Sequence, residues 1–161
     1  MWLTRPSVAP ESGAGESPAL LICYGNPLRG DDAVGWRVAE RLQQRVTDSA
    51  VQILTVHQLT PELMEPISRA RKTIFVDACA GGEPGAIRQR PIEAARPGAP
   101  FTHHATPAGL IQGALDLYGH APEALMFTVS GECFEFGAAL SPAVHDAVER
   151  LAQILIATSL F

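Results

Sequence analysis

A short apolar run, ALLICY (19–24), stops at Gly25-Asn26-Pro27, and from Asp31 onward the apolar residues recur at helical spacing. A run this short, closed by turn residues, reads as a strand buried on both faces. Val34, Val38 and Leu42 then mark the inner stripe of a helix, with Arg37, Glu40, Arg41 and Gln44 on its other side. A doubly buried strand feeding directly into an amphipathic helix is half of a βαβ unit. It therefore points to a parallel sheet covered by helices on both faces.

The rest of the chain repeats the alternation. VQILTV (51–56) reads as a strand, and TPELMEPISRA (60–70) as a helix with Thr60 at its N-cap and Pro61 in its first turn. TIFVDACAGG (73–82) is a third strand with Asp77 toward its C-terminal end. AIRQRPI (86–92) is a more polar strand whose Pro91 restricts it to a sheet edge. RPGAPFTHHATP (96–107) reads as a loop, and AGLIQGALDLYG (108–119) as a helix stopped by Gly119. EALMFTVSG (123–131) is a buried strand. The segment 140–160 is a final helix with Ser141 as cap, Pro142 next, and Val144, Val148, Leu151 and Leu155 along one side. The expected architecture is a three-layer α/β/α fold, with a mainly parallel five-stranded sheet and one antiparallel edge strand. Residues 18–161 are expected to form one domain. Residues 1–17, rich in Pro, Gly, Ser and Glu and without the apolar core of a signal peptide, are expected to form a flexible tail.

Composition removes several function classes. Twelve basic against seventeen acidic residues leave a formal charge of −5, which argues against nucleic acid as a partner. No apolar run approaches the length that spans a membrane. Cys23, Cys79 and Cys133 are odd in number and lack a C-x-x-C pair, so neither a disulfide framework nor a thiolate zinc site is expected, and a reducing cytoplasm fits. Cys79 reads as a small buried hydrophobe rather than a nucleophile. The sequence contains no G-x-G-x-x-G fingerprint, Walker-type G-K-[ST] or G-x-S-x-G elbow.

The carboxylates carry the chemistry. In a parallel α/β sheet, function gathers at the C-terminal ends of the strands, where strand order reverses. Asp31 and Asp32 follow the first strand and Asp77 ends the third, so all three fall on that edge. Like charges held close repel, and a cation between them would relieve this. His103 and His104 in the FTHHATP loop offer an imidazole, and a mixed nitrogen and oxygen set suits nickel or zinc better than magnesium. The same residues admit a plainer account, in which an aspartate caps the first helix, Asp77 pairs locally and the histidines are ordinary loop residues. Spacing alone leaves both open. His57 reads as a polar loop residue, and His120 and His145 as surface positions.

Together, Gly25-Asn26-x-Leu28-x-x-Asp31-Asp32-x-x-Gly35, Val76-Asp77-Ala78 and the His-containing loop ahead of a helix resemble the [NiFe]-hydrogenase maturation endopeptidases. HQLTPEL and LSPAV are similar to segments of that family too, and the resemblance runs from about residue 19 to the end. It implies an endopeptidase that removes the C-terminal peptide from the precursor of a hydrogenase large subunit, in the cytoplasm, once nickel has been inserted. By position it implies Asp32, Asp77 and His104 as the nickel-contacting set, with Asp32 and Asp77 catalytic. His104 is taken over His103 on its spacing to the helix near Ala108. Nickel is expected to arrive with the precursor. Asp31 is expected to be a helix cap supporting Asp32, and Gly25 and Gly35 to allow tight turns near the substrate. The alternative is a non-catalytic module that docks on the precursor and checks its nickel.

Overall fold

The computed structural model describes residues 17–96 and 105–158. The proposed tail, apart from Ser17, and both loop histidines, His103 and His104, lie outside these residues. Five strands, Ala19–Tyr24 (β1), Val51–Val56 (β2), Lys72–Ala80 (β3), Ile87–Ile92 (β4) and Glu123–Gly131 (β5), form one sheet in the order β2-β1-β3-β5-β4. All pairings are parallel except β4 with β5, which is antiparallel and leaves β4 at the edge. The expected sheet is thus present, and Pro91 sits on its edge strand.

Helices Val34–Arg45 (α1) and Pro142–Ala157 (α4) cover one face, and Met64–Arg69 (α2) and Pro107–Tyr118 (α3) the other. The strand pleat sorts the side chains between them. Leu21 and Cys23 of β1 join Val34, Val38, Leu42, Val144, Val148, Leu151 and Leu155 in one core. Leu20, Ile22, Phe75 and Met126 join Ile67, Leu110 and Ala114 in the other. No described helix is long and apolar enough to cross a membrane.

Two helices start later than their sequence patterns suggest. α2 covers only Met64–Arg69, after a 3₁₀ turn over Pro61–Leu63. Pro66 is the reason: it has no N–H to bond back to Glu62, so it is tolerated only in a helix's first turn, as here. α1 follows a 3₁₀ turn over Gly30–Ala33 and takes no side-chain cap from either aspartate. Gly35 lies where α1 presses on the sheet; a Cβ there would stand 3.0 Å from the Val76 carbonyl oxygen and 3.1 Å from that of Tyr24. Its absence serves helix–sheet packing, not the tight turn expected of it.

Candidate functional site

From β1 the chain passes through α1 to β2 on one side and returns through α2 to β3 on the other, which opens a crevice between the C-terminal ends of β1 and β3. β1 stops pairing with β3 at Cys23 opposite Val76, whereas β3 continues along β5 as far as Ala80. Asp77 is therefore the first β3 residue beyond its β1 pairing. It lies inside the strand, not at its end, because β5 still supplies a partner. The pleat sends its side chain to the α2/α3 face, the face shared with Phe75.

Asp32 reaches the same crevice from the other bank. Gly25 leaves β1 at φ +135°, and a Cβ there would fall 2.3 Å from the Asp32 carbonyl oxygen, so only glycine lets the two segments touch. The Asn26 backbone N–H then donates to Asp32 Oδ2 at 2.7 Å. Trp36 Nε1 donates to the Gly25 carbonyl at 2.9 Å and meets His57 edge-on, with ring centroids 5.2 Å apart. Exposed His57 thus supports the wall of the loop.

The Asp32 charge is felt at Asp77. Burial pushes the Asp77 carboxyl up to about 6, and the Asp32 charge adds to the rise; the Ala78 N–H and the Tyr24 hydroxyl bond to it and oppose the shift. The Ala78 N–H contact to Asp77 Oδ1 is 2.8 Å. Tyr24, half-buried at the end of β1, is itself pushed up by burial and by the Asp77 charge. This leaves Asp77 able to hold or release a proton near neutrality, a property that concentrates at functional sites.

Asp31 behaves otherwise. It is fully buried and faces away from the crevice, into the loop between β5 and α4. The backbone N–H groups of Glu132 and Cys133 donate to its Oδ2 at 2.9 and 3.0 Å, and Ser141 donates its N–H to Oδ1 at 2.7 Å and its hydroxyl to Oδ2 at 2.9 Å. Its own N–H returns a bond of 2.7 Å to the Cys133 carbonyl. Burial alone would raise its pKa, but these four donors hold it below the usual carboxylate range. The expected helix cap is thus an anchor that locks the β1 loop to the start of α4. Ser141, expected to cap α4 with its side chain, spends its hydroxyl on Asp31 instead.

Of the expected site residues, the structure brings Asp32 and Asp77 to one crevice, while His104 lies outside the described residues. Among the described residues no three His, Cys, Asp or Glu side chains gather closely enough to hold a metal ion. Cys79 is half-buried rather than enclosed, with Sγ 3.6 Å from Ser130 Oγ. His120 and His145 are exposed, as expected. Tyr24 escaped the sequence reading, although its place at the end of an apolar strand, level with the first glycine, was a usable signal. A cleft of about 820 Å³ on the other face of the sheet, lined by Arg37, Glu40, His145 and Glu149, contains neither aspartate and is not this site.

The sequence profile of hydrogenase maturation protease, HycI, matches residues 36–158. Among solved structures, the [NiFe] hydrogenase maturation protease HycI from Thermococcus kodakarensis KOD1 is similar at a TM-score of 0.72 and 25% identity, over 88% of this chain and 92% of that one. The hydrogenase maturating endopeptidase HybD from E. coli gives 0.66 and 25%, over 88% and 94%. A hydrogenase 2 maturation peptidase from Thaumarchaeota archaeon SCGC_AB-539-E09 shares the fold at 0.67 and 22%, over 89% and 99%. No curated protein sequence matches significantly.

Proposed function

The chain belongs to the hydrogenase maturation protease family, and on that footing we propose that it is the endopeptidase that removes the C-terminal segment from a nickel-loaded [NiFe]-hydrogenase large-subunit precursor. The observation that carries the reading is the meeting of Asp32 and Asp77 on the rim of the β1/β3 crevice, where burial and the Asp32 charge push the Asp77 carboxyl up to about 6. Two carboxylates that repel in this way are an incomplete set which a cation completes, and His104 supplies the third, nitrogen donor. Nickel is part of the substrate: it comes with the precursor, so empty precursor leaves the rim carboxylates uncompensated and binds poorly. Asp32, oriented by the Asn26 N–H, faces the incoming metal. Asp77 takes a proton from the water that attacks the scissile carbonyl and passes it to the departing amine. The unpaired cysteines suit action in the cytoplasm.

The test is intact mass of a large-subunit precursor incubated with wild type, Asp32→Asn and His104→Ala, with the precursor nickel-loaded or empty. Wild type should cut only the loaded form, and neither variant should cut it. Wild-type rates from Asp32→Asn would overturn the site, and binding without cleavage by wild type would make the protein a checkpoint instead. Chelator should leave the melting temperature of the isolated protein unchanged.

A further inference from the structure

We propose that Arg88 and Arg90 form a carboxylate-binding flank that holds the departing C-terminal segment of the precursor; the proposal rests on the endopeptidase reading above. The sheet register places them. Arg88 pairs with Thr128 and Arg90 with Met126 across β4 and β5, while Thr128 pairs with Asp77 and Met126 with Phe75 across β5 and β3. Directly paired residues share a face, so Arg88, Thr128 and Asp77 form one row on the α2/α3 side, with Arg90 in the next. Ile92, which follows the same alternation, is buried in the core of that side. The Tyr24 hydroxyl lies 4.0 Å from Met126 Sδ and within range of the Arg90 charge, which links β4 back to Asp77. At Gly82 a Cβ would come within 3.0 Å of Arg88 Nη2 and of Ser130 Oγ, so the Arg88 guanidinium lies toward the C-terminal rim.

Both arginines are exposed, and neither has an ion pair or hydrogen bond among the described residues. Elsewhere Arg37, Arg45 and Arg69 each hold a carboxylate at 3.0, 2.7 and 2.6 Å, and Arg29 and Arg150 donate to carbonyls. In a chain of net charge −5, two uncommitted cations on the strand two places from Asp77 set a positive flank against the negative rim. The aspartates would face the metal-bearing end of the substrate and the arginines its departing end. A guanidinium fork matches a carboxylate with paired hydrogen bonds. Two strand spacings put the Arg88 Cα roughly 10 Å from that of Asp77, about three residues of extended chain. A carboxylate from about the third residue beyond the scissile bond onward therefore falls to this flank, whether it is an acidic side chain or the chain end. Charge on an edge strand also deters edge pairing, but Lys or Glu serves that purpose equally.

The experiment measures KM and kcat on nickel-loaded precursor, and anisotropy of a labelled peptide matching the cleaved segment, for wild type, Arg88→Ala, Arg88→Lys, Arg88→Glu and Arg90→Ala. Arg88→Ala should raise KM about tenfold, Arg88→Glu by about a hundredfold, and Arg88→Lys should recover part of the loss, the effect falling on KM and weakening in high salt. Amidating the chain end removes the Arg88 effect if the chain end is the ligand; exchanging acidic side chains of the segment for amides removes it if they are. Wild-type KM and peptide affinity in Arg88→Glu, with cleavage intact, would overturn the flank and leave the endopeptidase reading standing. Arg88-dependent peptide binding by a wild-type protein that cuts no precursor would support the flank and overturn that reading.

Discussion

Asp31 and Asp32 are neighbours in sequence, yet one ends in a sealed knot and the other on an open rim. Asp31 is completely enclosed and receives four donors from three residues that lie over a hundred positions away. Asp32 receives one backbone N–H and, from across the crevice, raises the pKa of Asp77. Burial costs a charge little when both its oxygens are met by donors, and a great deal when they are not. The knot spends its charge on the fold. The rim leaves charge unsatisfied, where a substrate can satisfy it.

The sharpest way to break this contrast is to remove Asp31. A lost helix cap would cost about 0.5–2 kcal/mol. Stranding the backbone donors of exposed Glu132, half-buried Cys133 and buried Ser141 should cost more than that, about 3 kcal/mol, read as a fall in urea midpoint for Asp31→Ala. Because its pKa is lowered in the folded state, its contribution is fully present above the unfolded value of 3.8 and is lost as pH falls through the folded one. The deficit of the variant should therefore be complete at pH 7 and shrink in acid. A cost below 1 kcal/mol at pH 7 would mean the knot is not a knot.

Asp77 should respond with the opposite sign. Its pKa is raised from 3.8 to about 6, so the proton stabilises the fold, fully below 3.8 and no longer as pH rises through 6. Asp77→Asn mimics the protonated form. It should gain about 1–3 kcal/mol at pH 7 and nothing below about pH 4, while losing cleavage. Stability and activity moving in opposite directions would mark a functional site. A variant destabilised at pH 7 would place Asp77 with Asp31 among structural anchors.

The mildest probe is Ser141→Ala, which removes one of the four donors and keeps the Ser141 N–H. It should cost about 1–2 kcal/mol without changing cleavage of saturating precursor. A loss of rate at equal stability would mean that the knot also sets the position of Asp32 through the short stretch between them.

Much of the molecule was legible from residue order. The apolar runs of β1, β3 and β5 and the stripe of α4 are local patterns, and the structure repeats them. Pro91 announced an edge, and Gly119, at φ 74°, announced the end of α3. Asp32 and Asp77 were placed on one rim because parallel strands all end on the same side. The Pro66 signal was also present in the sequence, and its meaning is plain once α2 is seen to begin just before it.

What the sequence determined by itself is therefore the order and type of the elements, and with them the rim on which Asp32 and Asp77 meet. Tertiary structure alone decided that Asp31 turns inward to Glu132, Cys133 and Ser141, and that Arg88 and Asp77 share a row across three strands. Periodicity records how a segment meets its nearest layer, which a few neighbouring residues suffice to encode. Partners a hundred residues apart are set by strand register and loop closure, which depend on how the whole sheet packs.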